Sequence, residues 1–196
     1  MRQDGYTEDE AAGRVPLTLS LVGQPNVGKS SLFSRLTGVG VISSNYPGTT
    51  VQFEESAVRR GDRTLNIKDV PGTYSLSGES KDETIVVDML ASDENDMIVV
   101  VADASNLEPS LVLCLEVLEL GVPTIVALNK FDVAKKRFEI DTVALEKMLS
   151  VPVIPVSAKS GEGIEELMEA ITSGSARISD YRVRYDRHIA EYLAVL

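Results

Sequence analysis

The chain has 196 residues, of which 43% are hydrophobic and 25% are charged, and its formal net charge is −11 at pH 7. This composition suits one globular domain, while the acidic excess disfavours non-specific binding to nucleic acid or to an anionic membrane surface. No run of about 18 apolar residues occurs, so we expect no direct membrane insertion by this segment. Residues 1–14 are polar and lack the apolar region of a secretory signal, which predicts a flexible acidic tail.

Short apolar runs alternate with helical patterns between 15 and 174. One segment, "TVQFEESAVRR", alternates more strictly than the five apolar runs given below. It predicts an antiparallel edge strand, which a turn at Gly61–Asp62 joins to the next strand. The alternation predicts an α/β fold with a six-stranded, mostly parallel sheet, one antiparallel edge strand, and helices on both faces. The five runs that predict buried strands are "VPLTLSLVG", "TLNIKDV", "DMIVVVAD", "PTIVALNK" and "VPVIPVSA". The predicted helices are Lys29–Leu36, Asp82–Leu90, Pro109–Leu120, Thr142–Leu149 and Gly163–Ile171.

The composition changes after residue 174. Ile189, Leu193 and Leu196 share one helical face, which predicts that 175–196 is the start of a following helical domain, cut off in mid-pattern. The single Cys114 cannot form an internal disulfide, which favours a reducing compartment, and its apolar surroundings predict a core residue rather than a reactive thiol. One histidine and one cysteine supply no ligand set for iron.

The most informative motif is "GQPNVGKSS", which follows the first predicted strand and opens the first predicted helix. It matches the phosphate-binding loop G-x-x-x-x-G-K-[ST], whose backbone N–H groups surround phosphates. Lys29 is expected to reach the β- and γ-phosphates, and the Ser30 hydroxyl to bind Mg²⁺. The strand–loop–helix context disfavours a chance match in a glycine-rich turn. The predicted nucleotide contacts are Gly23, Gln24, Pro25, Asn26, Val27, Gly28, Lys29, Ser30 and Ser31.

The motif "DVPG" ends another predicted strand, which places Asp69 at the same edge of the sheet. Asp69 is expected to serve Mg²⁺ through a water molecule, and the Gly72 amide to contact the γ-phosphate. Ras-like enzymes have a water-orienting glutamine at the next position. Here that residue is Thr73, which is too short for this role, so hydrolysis needs another source of charge stabilisation.

Two further motifs predict a guanine base. The carboxylate of Asp132 in "NKFD" can accept from the adjacent N1–H and N2–H₂ donors of guanine, a pair that adenine lacks. Asn129 is expected to brace the loop and the Lys130 stem to cover the ring, although a plain polar loop remains the alternative for this motif in isolation. In "SAKSGEG", which begins at Ser157, the Ala158 amide is predicted to donate to guanine O6 with Lys159 beside the ring.

These four motifs, in this order and each at a strand end, resemble a translation-factor-class P-loop GTPase with a Ras-like fold between about Val15 and Ser173. The motif "NKFD" argues against an ATP-binding kinase. The stretches "DVPGTYSL", "SSNYPGTTVQ" and "VVVADASNLEPSLVLCLEVLELGVPTIVALNKFD" resemble the cytosolic G domain of the FeoB family, ferrous iron transport protein B. Era- and Der-type ribosome-assembly GTPases, which also carry "PNVGKSS", remain the alternative, as does a guanine-nucleotide-binding module without catalysis.

The FeoB resemblance implies a GTPase switch for ferrous iron uptake on the cytoplasmic face of the cell membrane, followed in the same polypeptide by helical and membrane domains. It implies slow hydrolysis of GTP to GDP, Mg²⁺ and K⁺ as cofactors, and a possible homo-oligomer. K⁺ would be bound by the Asn26 side chain and by backbone carbonyls from Ser44 to Tyr46, and it would replace an arginine finger. A turn-stabilising role for Asn26 is the alternative.

The resemblance also implies two mobile segments that respond to the γ-phosphate: switch I from about Val39 to Thr50, and switch II from about Gly72 to Lys81. The switch I residues predicted to contact nucleotide are Gly48, Thr49 and Thr50, with water oriented near Thr49 and Thr50, and with Thr50 as a ligand of Mg²⁺. The chain departs from the family at Tyr46, where FeoB proteins usually have tryptophan.

Overall fold

The computed structural model describes residues 16–38, 41–78, 80–92 and 94–181. The predicted tail at 1–14 and the helical pattern at 182–196 lie outside these residues. The strands are β1 (Leu17–Val22), β2 (Ile42–Asn45), β3 (Gln52–Arg60), β4 (Arg63–Asp69), β5 (Met97–Asp103), β6 (Thr124–Asn129) and β7 (Val153–Pro155). The helices are α1 (Lys29–Thr37), α2 (Lys81–Leu90), α3 (Leu107–Glu119), α4 (Phe131–Ala134), α5 (Thr142–Leu149) and α6 (Ile164–Thr172).

The described strands form one sheet in the order β2-β3-β4-β1-β5-β6-β7. The pairs β4–β1, β1–β5, β5–β6 and β6–β7 are parallel, whereas β2–β3 and β3–β4 are antiparallel. The α/β class and the mainly parallel sheet are therefore confirmed. The predicted count of six strands is wrong, because the described residues form a sheet of seven.

The additional strand, β2, corrects the predicted position of the edge. The segment "TVQFEESAVRR" forms β3, an inner strand, and β2 lies outside it with Ser44 opposite Phe53. The sequence of β2, "ISSN", has one apolar residue and therefore shows no alternating pattern. Its pairing is made by backbone hydrogen bonds, which any sequence except proline can supply.

Two hydrophobic cores lie on opposite faces of the sheet. Apolar side chains of α1 and α6, among them Phe33 and Leu167, form the first core against β1, β4 and β5. Side chains of α2 and α3, among them Val86 and Leu113, form the second. All seven residues of β5 are buried, which explains its continuous apolar sequence. Within the described ranges, no helix is long and apolar enough to cross a bilayer.

The segment just after residue 174 packs on this same domain. Arg177 forms an antiparallel bridge with Thr124 at the start of β6, and the hydroxyl of the buried Ser179 donates to the Leu149 carbonyl. The backbone around 177–179 thus continues past the predicted domain boundary while remaining in contact with β6 and the end of α5.

Candidate nucleotide-binding site

Two adjoining cavities lie where the carboxyl ends of the parallel strands meet. The larger, of about 710 Å³, is the base cavity, and the second, of about 490 Å³, is the phosphate cavity. Gly28 and Ser31 line both, so the two cavities lie side by side. The base cavity contains all six predicted base contacts, namely Asn129, Lys130, Asp132, Ser157, Ala158 and Lys159. The phosphate cavity is lined by Gln24, Pro25, Asn26, Gly28, Lys29, Ser30, Ser31 and Gly72.

The phosphate-binding loop has the backbone that its glycines predict. Gly28 has φ +91°, and a Cβ atom there would lie 2.4 Å from the Asn129 amide nitrogen, so both conformation and space require glycine. Asn26 also has positive φ, at 66°, and its side chain is exposed at the rim. Gly23 and Val27 are buried beneath the loop and support it rather than line the cavity.

The Asp69 carboxylate contacts two polar side chains of the phosphate-binding loop, those of Lys29 and Ser30. The Lys29 ammonium pairs with Asp69 Oδ1, and the Ser30 hydroxyl donates to Oδ2 at 3.0 Å. Lys29 and Asp69 are both buried. A hydroxyl and a carboxylate held together in this way match the oxygen ligands that Mg²⁺ prefers, so Ser30 and Asp69 fit the predicted metal-binding roles.

Switch II begins against the phosphate-binding loop. A Cβ atom on Gly72 would lie 3.3 Å from the Pro25 nitrogen, which shows how closely the two backbones approach. The Thr73 N–H donates to the Gly23 carbonyl at 3.3 Å. The Thr73 side chain is buried, and its hydroxyl donates to the Ser75 carbonyl at 2.7 Å. The Thr73 side chain therefore shapes the loop, and Thr73 is not among the described residues that line the phosphate cavity.

Of the residues predicted for switch I, only some lie beside the nucleotide-binding site. Thr50 lines a third cavity, of about 500 Å³, together with Pro25 and Gly72. The Thr49 N–H and hydroxyl both donate to the Tyr46 carbonyl, each at 3.0 Å, and the nearby Gly48 is exposed with φ +77°.

The two remaining predicted K⁺ ligands are engaged elsewhere. Ser44 belongs to β2, whose backbone pairs with β3 with Ser44 opposite Phe53, and the Tyr46 carbonyl accepts from Thr49. Among the described residues that line the phosphate cavity, neither Ser44 nor Tyr46 appears, so only Asn26 of the three predicted K⁺ ligands lies there.

The side-chain amide of Asn129 connects the phosphate-binding loop to the loop that contains Ala158. Its Nδ2 donates to the Val27 carbonyl at 2.8 Å, and its Oδ1 accepts from the Ala158 N–H at 2.9 Å. The bracing role predicted for Asn129 agrees with these contacts. The Ala158 amide, which the sequence assigned to guanine O6, donates here to Asn129 instead.

Lys130 has a partner that the motif did not reveal. Its ammonium donates to the Asn26 carbonyl at 2.8 Å and to Asp103 Oδ2 at 2.6 Å. Burial alone raises the pKa of Asp103, but hydrogen bonds from Lys130 and Ser105, with the charge of Lys130, outweigh it and hold this pKa below its ordinary value. Asp103 ends β5, so its position at a strand end was a signal that could have been used.

Arg35 of α1 was also missed. Its guanidinium donates to the carbonyls of Ala158 and Lys159, at 2.9 and 2.8 Å, and so supports the loop beside the base cavity. Nothing in the spacing of the chain reveals this contact, because Arg35 and Ala158 are 123 positions apart.

A family model described as ferrous iron transport protein B matches residues 17–171. The chain belongs to the ferrous iron transport protein B family. A relative from Salmonella typhimurium, the Fe(2+) transporter FeoB, is 41% identical over 186 residues, which cover 91% of this chain and 24% of the relative. The FeoB of Escherichia coli strain K12 is 44% identical over 176 residues, covering 86% of this chain and 22% of that protein. The chain thus spans about a quarter of these FeoB proteins.

Solved structures of FeoB cytosolic domains share this fold. The T. maritima domain in a GDP form has a TM-score of 0.87 and 38% identity, covering 92% of this chain and 73% of that one. Its GMPPNP form has a TM-score of 0.84 and 39% identity, covering 91% and 72%. A GDP-bound mutant of S. thermophilus NFeoB has a TM-score of 0.80 and 32% identity, covering 91% and 70%. The resemblance read from the sequence is confirmed, and the Era- or Der-type alternative is not favoured.

Proposed function

We propose that this chain is the GTP-binding and GTP-hydrolysing switch domain of a ferrous iron transporter. The observation that carries the proposal is the position of Asp132, which lines the base cavity together with Gly28 of the phosphate-binding loop. A carboxylate matches the paired N–H donors of guanine and has no such partner on adenine. The GDP and GMPPNP forms of the T. maritima relative support the same nucleotide class.

In this proposal, some residues of the site bind the phosphates and others respond to the presence of the γ-phosphate. Lys29 and the N–H groups of the loop from Gly23 to Ser30 hold the β- and γ-phosphates. Mg²⁺, held by Ser30, Asp69 and Thr50, would supply positive charge at the phosphate oxygens. The Gly72 amide contacts the γ-phosphate, so that loss of this group releases switch II.

Hydrolysis in this proposal is slow and assisted by K⁺, because Thr73 cannot orient water as a glutamine does. The support for K⁺ is the position of Asn26, which lies in the phosphate cavity with its side chain exposed. For the carbonyls of Ser44 and Tyr46 to bind K⁺, residues 44–46 must break the pairing of β2 with β3 and the hydrogen bonds from Thr49 to Tyr46. In this proposal, that rearrangement accompanies the binding of GTP.

In the whole transporter, this domain would act on the cytoplasmic face of the cell membrane. It would pass the state of its switches to helical and membrane domains later in the same polypeptide, with assembly into homo-oligomers as a further possibility. The net charge of −11 supports a role without nucleic acid.

The test of base selection uses Asp132→Asn. Because a carboxamide presents one acceptor and one donor, it matches the N1–H and O2 of xanthine better than the two donors of guanine. Calorimetry on the full 196-residue chain is expected to show affinity for GDP about 10- to 100-fold weaker in the variant, with a gain for xanthosine diphosphate. Asp88→Asn, the same substitution at an exposed position of α2, is the control. A wild-type chain that binds ADP as tightly as GDP would refute the proposal.

A further inference from the structure

The carboxylate of Glu116, on α3, holds two consecutive residues of switch II. Its Oε2 accepts from the Leu76 backbone N–H at 2.7 Å, and its Oε1 accepts from the Ser75 hydroxyl at 3.0 Å. Both oxygens are therefore used, and all three residues are half-buried. Hydrogen bonds to an ionised acceptor are stronger than those between neutral groups, so this is a firm attachment for an otherwise irregular segment.

The same segment is attached to the phosphate-binding loop. Thr73 links the two, since its N–H donates to the Gly23 carbonyl and its hydroxyl donates to the Ser75 carbonyl. A continuous series of hydrogen bonds thus joins Gly23, Thr73, Ser75 and Glu116. Gly72, the predicted γ-phosphate contact, immediately precedes Thr73, so its position depends on this series.

The helix that carries Glu116 is itself fixed at the edge of the site. The Gln24 side chain donates to the Pro109 carbonyl at 2.9 Å, which joins the phosphate-binding loop to the first turn of α3. The Ser110 hydroxyl accepts from the Asp103 N–H at 3.0 Å, which joins the same turn to the end of β5. Because the first turn is attached at two points and the helix is regular, Glu116 stands at a fixed distance from the phosphate cavity.

We infer that Glu116 is a positioning residue for the γ-phosphate response of switch II. It acts through Ser75 and Leu76 and holds the backbone so that the Gly72 amide faces the position of a γ-phosphate. GDP lacks that phosphate, so this attachment matters for GTP and not for GDP. The inference rests on the proposed function, and it adds a residue outside every nucleotide-binding motif of the sequence.

The experiment compares binding of GMPPNP and GDP to the wild-type 196-residue chain and to its Glu116→Ala variant. Loss of both acceptors is expected to weaken GMPPNP by roughly 10-fold, since coupling between sites is typically worth 5- to 150-fold, while GDP changes by less than about twofold. Glu116→Gln is expected to retain a ratio between those of the wild type and Glu116→Ala, because its carbonyl accepts from the Leu76 N–H and its amide can donate to the Ser75 oxygen, but neither bond is to an ionised group. Glu119→Gln, at an exposed position of the same helix, is the control.

The outcomes separate this inference from the proposed function. A wild-type chain that binds neither nucleotide overturns the proposed function. A wild-type chain that binds both, with a variant that weakens both equally or neither, overturns only the role of Glu116. If Glu116→Ala does not fold, Ser75→Ala decides, because it removes one of the two bonds: a lowered GMPPNP-to-GDP affinity ratio supports the inference, and an unchanged ratio overturns it.

Discussion

Thr73 and Asn26 occupy the two positions on which the proposed hydrolysis depends most. The Thr73 hydroxyl is buried and donates to a carbonyl two residues away, so it is committed to the shape of switch II. Asn26 instead has positive φ and an exposed side chain in the phosphate cavity. Of the two, only Asn26 can offer an oxygen to a cation beside a polyphosphate. This contrast supports the proposed assignment of the charge stabilisation to a cation bound near Asn26.

This assignment predicts how monovalent cations change the rate. Replacing Na⁺ by K⁺ is expected to raise single-turnover GTP hydrolysis by the wild-type chain about 10-fold or more, because a fixed positive charge at the developing negative charge lowers the barrier. Asn26→Ala is expected to remove this gain. Asn26→Gly should remove it too, without the strain that alanine meets at φ 66°, and so controls for the backbone. Equal rates in the two salts would contradict the K⁺ assignment while leaving GTP binding intact.

The boundary between switch II and α2 is set by a capping box. The Ser80 hydroxyl accepts from the Glu83 N–H, and the Glu83 carboxylate accepts from the Ser80 N–H in return. These contacts satisfy N–H groups that the first turn of a helix leaves without partners. The irregular segment before α2 therefore ends at a defined residue, where Ser80 and Glu83 also line the third cavity, between the two predicted switches.

Ser80→Ala should lower the free energy of unfolding by about 1 kcal/mol, the usual value of an N-cap. Urea unfolding followed by circular dichroism measures the change. Ser80→Asp retains a side-chain acceptor at the same position and is expected to stay close to the wild type. A Ser80→Ala variant as stable as wild type would show that this cap contributes nothing to the stability of the fold.

Elements with a long apolar pattern were predictable, and those held only by backbone pairing were not. The run "DMIVVVAD" became β5 with a shift of one residue, and α5 was predicted with its observed ends. The strand β2 and the four-residue helix α4 were missed because neither is long enough to show a period.

The same distinction applies to the candidate site. Contiguous motifs predicted its lining, whereas the contacts of Arg35, Asp103 and Glu116 join residues 123, 27 and about 40 positions apart. The strand-end position of Asp103 was a local signal that it lies at the site, but nothing local in the sequence records which distant residue each of the three contacts.

In the molecule as a whole, nucleotide binding and folding should be coupled, because the site draws on both cores. Lys29 and Ser30 begin α1, which packs in the first core, and Asp103 ends β5, which contributes to both. Cys114 is fully buried in the second core, and burial raises the pKa of its thiol to about 12. As the only cysteine of the chain, it reports when that core becomes accessible.

The labelling rate of Cys114 should therefore measure how strongly GDP stabilises the fold. Burial raises the pKa of the Cys114 thiol from 9.0 to about 12, so the free energy of unfolding falls as the pH rises across that interval. The assay is therefore run at about pH 8, below the interval. If reaction with a thiol reagent requires global unfolding, GDP at 100 times its dissociation constant should slow labelling about 100-fold. Cys114→Ala gives the background. Labelling that GDP leaves unchanged, while calorimetry shows binding, would mean that α3 opens locally and that the site and the second core are not coupled.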